Sequence, residues 1–144
     1  MKGAKFLKVT GILMIIFSAI ALVLEIILAA GIAALGVAAV ESNVSLGTVT
    51  SAISPTVWIA VVLGFVGVVA EFVAGIIGVA NAKKPEKANT CFIWGVIVIA
   101  VNVISNIVMA ITYPAGFSVW SALSGLVLPV LYLIGAVLNK KSAE

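Results

Sequence analysis

Charge is what this chain has least of. Of its 144 residues only 9% are Asp, Glu, Lys or Arg, against 64% hydrophobic, and the mean hydropathy is +1.37. A soluble domain carries about a quarter charged residues. Too little charge is present to build a water-soluble surface, so a soluble globular fold is excluded. A nucleic-acid reader is excluded with it, despite a pI near 9.2. Histidine, aspartate, arginine and glutamine are missing altogether. Without His there is no Ser-His-Asp triad, no Cys-His pair and no His-ligated metal. Without Arg there is no bidentate clamp for phosphate or carboxylate. The single cysteine, Cys91, cannot close an internal disulfide. These absences argue against an enzyme, a metal centre and a bound cofactor, and they make the lipid bilayer the first partner of the chain.

Long apolar runs fill the space that charge leaves. A spanning helix needs about 20 mostly apolar residues. Four stretches qualify, over 9–38, 57–82, 90–113 and 117–138; between them lie an outer loop 41–56, an inner loop 83–89 and an outer turn 114–116. The spacing predicts an all-α integral membrane protein, a four-transmembrane-helix bundle forming one membrane domain over 1–144. Lysine gives the orientation. Lys2, Lys5 and Lys8 precede the first span, Lys83, Lys84 and Lys87 sit between the second and third, and Lys140 and Lys141 follow the fourth. The other two connections hold none, so the positive-inside rule puts both termini in the cytoplasm. The N-terminus imitates a signal peptide, but its apolar run exceeds the roughly 7–15 residues of an h-region, and the segment is expected to be retained.

Proline supplies local punctuation. Ser54-Pro55 reads as a cap and first helical residue of span two, Pro85 can open helix three, and Pro114 ends it. Trp58, Trp94 and Trp120 lie toward span ends and read as interface anchors. There is a faint internal repeat: GIIGVANAKK at 75–84 resembles YLIGAVLNKK at 132–141, and spans one and three align with Glu25 against Asn106. A duplicated two-helix hairpin explains this, and so does the shared chemistry of any two helices that end at the cytoplasmic face.

Two glutamates interrupt the apolar runs. Glu71 stands thirteen residues after Trp58 and twelve before Lys83, close to the midplane at about 1.5 Å per residue. Glu25 follows Lys8 by seventeen residues, which places it about 25 Å up the helix, in the outer half. An ionised side chain at a helix centre costs roughly 2.5–3.5 kcal/mol on the insertion scale. No basic residue in the spans offsets that cost, so each carboxyl is expected to be protonated, bound to a cation or facing water. Six of the residues on the Glu71 face are Gly or Ala: Ala60, Gly64, Gly67, Ala74, Gly75 and Gly78. The same walk from Glu25 gives Gly11, Ser18, Ala21, Ala29, Ala33 and Gly36, interleaved with Leu22, Leu28 and Ile32. Small stripes mark close helix packing, so both acids are expected to point at other helices, with Gly64, Gly67, Ala74, Gly75 and Gly78 at the contacts. Asn102 and Asn106 share one face of span three; by depth Asn102 pairs with Glu71 and Asn106 with Glu25. Span four adds Ser124 and Tyr132, and Pro129 leaves a carbonyl free nearby. Such a polar layer suits protons or a hard cation. It equally suits structural hydrogen bonding between helices.

The stretches GIIGVANAKKPEKANTCFIWGV (75–96) and LPVLYLIGAVLNKK (128–141) resemble small four-span proteins of low-GC Gram-positive bacteria. The resemblance implies the four-span fold and a bacterial cytoplasmic membrane, and it brings no activity. The small multidrug exporters also have four spans and a Glu in the first, but this chain has a longer first span, a longer outer loop and a second Glu. Claudin-like and tetraspanin-like proteins carry outer-loop cysteines that this chain lacks. The function expected from the residues is transport: a proton- or cation-coupled carrier or a cation channel, with Glu71 as principal site and Glu25, Asn102, Asn106 and Tyr132 around it. Four helices enclose little volume, so a homo-oligomer is expected. The alternative is an assembly, immunity or accessory subunit that receives a helix of a partner membrane protein.

Overall fold

Lipid offers no hydrogen bonds, so an apolar run must satisfy its own backbone, and a helix does this within one segment. The computed structural model describes residues 2–41, 55–112, 114–115 and 117–141. Four helices carry the chain: α1 (Lys2–Glu41), α2 (Pro55–Asn81), α3 (Ala88–Thr112) and α4 (Val119–Lys141). All four have the length and apolarity to cross a membrane, and the described residues hold no strand. The chain is an all-α four-helix bundle and a multi-pass membrane protein. The expected outer loop lies almost wholly outside the described residues, Ser54 and the 42–54 stretch included.

Each helix packs on its two neighbours, α1 on α2 and α4, and α3 on the same two. The up-down-up-down order brings Lys5, Lys8, Lys83, Lys84, Lys87, Lys140 and Lys141 to one end, all exposed. The tight connection at this lysine end is a 3-10 turn, Pro85–Lys87. The Lys84 amide donates to the Asn81 carbonyl and the Lys87 amide to the Lys84 carbonyl, each at 2.9 Å. Pro85 opens the turn, where its missing N–H breaks no bond, and α3 proper starts at Ala88.

The lysine half of the bundle is closed. Leu7, Met14, Ala74, Val98, Tyr132 and Ala136 are fully buried and form one cluster. Glycines let the backbones meet around it. A β-carbon on Gly75 would lie 2.9 Å from the Gly11 carbonyl oxygen, and one on Gly11 would lie 3.0 Å from that of Gly75. A β-carbon on Gly135 would lie 3.0 Å from the Leu7 Cα. Such contact gains dispersion energy and weak Cα–H···O bonds that larger side chains would prevent. Thr10 and Ser18 face this core and donate to their own helix, Thr10 to the Phe6 carbonyl at 3.0 Å and Ser18 to that of Met14 at 2.5 Å.

The opposite, far half is open, and helix length explains it. Residue Leu7 sits on Gly135; following that antiparallel register sixteen residues along brings Val119, the start of α4, level with Val23. Glu25 sits on Gly64, and nine residues further the start of α2 at Pro55 falls level with Ala34. Helix α1 therefore continues outward past both neighbours. Its 40 residues span about 60 Å, against a hydrocarbon core of about 30 Å.

Candidate functional site

Where the lysine-half core ends, polar side chains begin. Val98 on α3 is fully buried. One turn later the Asn102 amide donates to the Val98 carbonyl at 3.1 Å and to Glu71 Oε1 on α2 at 3.1 Å. Above this pair lies a cavity of about 550 Å³ whose walls include Glu25, Asn102, Ser105, Asn106 and Ser121. It reaches Val57 and Met109, close to the far ends of α2 and α3. Its remaining walls are apolar, among them Leu28, Ile32 and Leu63.

The two glutamates hold different places. Glu25 lines the cavity directly. Its carboxyl fills the space over Gly64, with Cδ only 3.1 Å from where a β-carbon of that residue would stand. Its Oε2 is buried and makes no hydrogen bond among the described residues. Glu71 lies beneath the floor, reached through Asn102. Among the described residues no Lys approaches either acid within ion-pair distance, as their separation along the helices requires. A carboxyl with a free oxygen, two amides and two hydroxyls offers several oxygen acceptors, the kind of ligand a proton or a hard cation takes.

The other expected residues fall as follows. Asn106 lines the cavity with Glu25, but its amide donates to the Asn102 carbonyl at 2.8 Å, so the pair shares a chamber rather than a hydrogen bond. Self-bonding of Asn within a helix competes with bonding across it. Tyr132 lies outside the cavity, in the closed half. It is fully buried, its ring against Gly78 and Gly95, and its hydroxyl sits beside the Cys91 thiol without a hydrogen bond of standard geometry. Cys91 itself donates to the Ile77 carbonyl at 3.8 Å. Ser124 is exposed and bonded to the Ser121 carbonyl at 2.9 Å; Ser121, one turn earlier, is the α4 residue that reaches the cavity. Of the small stripe, Ala74 and Gly75 pack in the core, Gly78 receives Tyr132 and Gly64 receives Glu25. Gly67 stands apart, since a β-carbon there meets only a Val101 methyl at 3.9 Å. Ser105 and Ser121 were not singled out from the sequence. Ser105 was within reach, being one turn from Asn102 on the same face; Ser121 was not, because the one amide of α4, the buried Asn139, lies five turns away at the lysine end and the half around Ser121 has no carboxyl or amide to fix its rotation.

Compared with family models, with curated proteins and with solved structures, the chain gives no match.

Proposed function

We propose that this protein is a proton- or cation-coupled carrier that works through its intramembrane carboxylates. The observation that carries this reading is the polar cavity of the far half, with Glu25 in its wall and the Glu71–Asn102 pair under its floor. A closed half lies directly beneath it. An aqueous chamber open to one side and sealed on the other is the arrangement a carrier passes through. A channel reading needs a continuous pathway, and the packed layer of Leu7, Met14, Val98 and Tyr132 speaks against one in this conformation. Glu25 would meet the ion first, Asn102 and Asn106 would supply amide oxygens, and Glu71 would receive the proton or cation as the floor opens. The alternative, a subunit that packs against a partner helix or a second copy, draws support from the outward half of α1. Leu24, Ile27, Leu35 and Val37 are each at least 60% exposed, and neither α2 nor α4 flanks the last turns.

Proteoliposomes carrying a pH or cation gradient test the proposal. Wild-type protein is expected to dissipate the gradient. Glu71→Gln and Glu25→Gln, which keep shape and hydrogen-bonding capacity, are expected to cut the rate at least tenfold while inserting normally. A wild-type protein that moves no ions, together with a membrane protein co-purifying with it, defeats the carrier reading and promotes the subunit one.

A further inference from the structure

The wall that α3 gives to the chamber holds three polar side chains in one patch. Asn102, Ser105 and Asn106 stand at i, i+3 and i+4, and all three line the cavity. The Asn102 amide nitrogen donates to the Val98 carbonyl and to Glu71 Oε1, each at 3.1 Å. A backbone carbonyl can only accept, so the nitrogen must stand on that side, and both its hydrogens are spent there. What the side chain has left is Oδ1, which faces α4 at Gly125, 3.9 Å from where a β-carbon would stand. Asn106 is oriented in the same way, its nitrogen held by the Asn102 carbonyl at 2.8 Å. The Ser105 hydroxyl is buried and makes no hydrogen bond among the described residues. Glu25 Oε2, in the wall from α1, is in the same condition.

We propose that these oxygens form a binding site for one alkali-metal cation, sodium, with Glu25 as its charged ligand and Asn102, Ser105 and Asn106 as neutral ones. The inference rests on the carrier reading and names its ion. Charge sets the valence. Glu25 sits on Gly64, seven residues before Glu71, so the two carboxyls lie about 10 Å apart along the bundle and only one of them faces the ion. A single positive charge neutralises it. A divalent ion would stay half compensated beside Leu28, Ile32 and Leu63. Ligand type sets the class, since carboxylate, carboxamide and hydroxyl oxygens are what hard cations take. An organic cation is the weaker fit, because the chamber lining contains no aromatic ring for it to stack on. A proton is also the weaker fit. It needs one oxygen and one acceptor, which leaves the Ser105 hydroxyl and the second carboxamide without a role. The chamber, about 550 Å³, has room for the ion and for waters that complete its shell, at about 30 Å³ each.

The test is equilibrium binding of radioactive sodium to the full chain in zwitterionic nanodiscs, with choline holding the ionic strength constant and empty nanodiscs as background. Saturable binding of about one sodium per chain is expected, competed by unlabelled sodium but not by magnesium or further choline at the same concentration. Glu25→Gln is expected to weaken binding at least tenfold, and Ser105→Ala about threefold or more. Gly67→Ala, outside the chamber wall, should bind as the wild type does, with all variants monodisperse. Should Glu25→Gln aggregate, the competition series and Ser105→Ala decide by themselves. No saturable binding, competition by magnesium or choline equal to that by sodium, or binding that either chamber variant leaves unchanged overturns the proposal. Ion flux through the same preparation separates the two readings. Glu71-dependent proton flux without sodium binding overturns this inference and leaves the carrier reading in place. Glu25-dependent sodium binding in a protein that moves no ions supports the site and counts against the carrier.

Discussion

Glycine 75 and glycine 67 sit two turns apart on one face of α2, and they have opposite surroundings. At Gly75 an added methyl would run into the Gly11 carbonyl and the Ile15 side chain, both 2.9 Å away. The backbone of α1 cannot yield without unseating the lysine-half core. At Gly67 the same methyl meets one flexible Val101 methyl at ordinary contact distance. Gly75→Ala is therefore expected to cost about 1–3 kcal/mol, the usual range for overpacking, and Gly67→Ala to be neutral or slightly stabilising, as Ala is the better helix former. Thermal unfolding in detergent, followed by circular dichroism, decides it; equal midpoints for the two variants would contradict the close α1–α2 crossing. The Glu71–Asn102 bond gives a second contrast. Glu71→Gln retains an acceptor for the Asn102 amide, so stability should hold. Glu71→Leu removes it and is expected to cost about 0.6–2 kcal/mol, the range for hydrogen bonds between membrane helices. A larger loss in the Gln variant than in the Leu variant would show that charge, not hydrogen bonding, holds the pair.

At the scale of helices, the sequence made most of the architecture legible. Four apolar runs with lysine at alternate connections leave one up-down-up-down order. Counting residues along two antiparallel helices brings Glu71 level with Asn102. The depth count gave height but not rotation or splay, and that is where the structure adds most. Asn106 has the height of Glu25 yet spends its amide on its own helix. Tyr132 carries a hydroxyl like Ser121, but it points into the closed half because Gly78 and Gly95 leave room for its ring. The order of helices makes its own prediction. In a Cys91→Ser background, Ala115→Cys lies in the described turn between α3 and α4, and Lys84→Cys lies between α2 and α3. An impermeant maleimide applied to intact cells should label the first and not the second, with the second labelled only after permeabilisation. The reverse pattern would invert the bundle in its membrane.

The molecule as a whole joins a sealed half to an open one, and the division follows from where its small residues are spent. Gly3, Gly11, Gly75, Gly78, Gly95 and Gly135 all bring helices together in the lysine half. In the far half Gly64 is occupied by a carboxyl, Gly31 meets nothing within 4 Å and Gly125 meets only the Asn102 carboxamide oxygen, at 3.9 Å. Close packing there would leave no space beside Glu25; the cavity at its side has room for water or an ion. If that is the working state, the chamber is wet and negative in character. Ser105→Cys in a Cys91→Ser background places a thiol in its wall. A cationic, membrane-impermeant methanethiosulfonate added from the far side should modify it at least tenfold faster than an anionic one of similar size, because the two intramembrane acids face no basic residue in the spans. Met14→Cys, from the fully buried layer below, should react with neither while the half stays closed. Glu25→Gln should narrow the cation preference at Ser105→Cys without closing access. Equal rates at the two depths would mean that the lysine half is not sealed. No reaction at Ser105→Cys would mean that water does not enter the chamber from that side, which counts against the carrier reading.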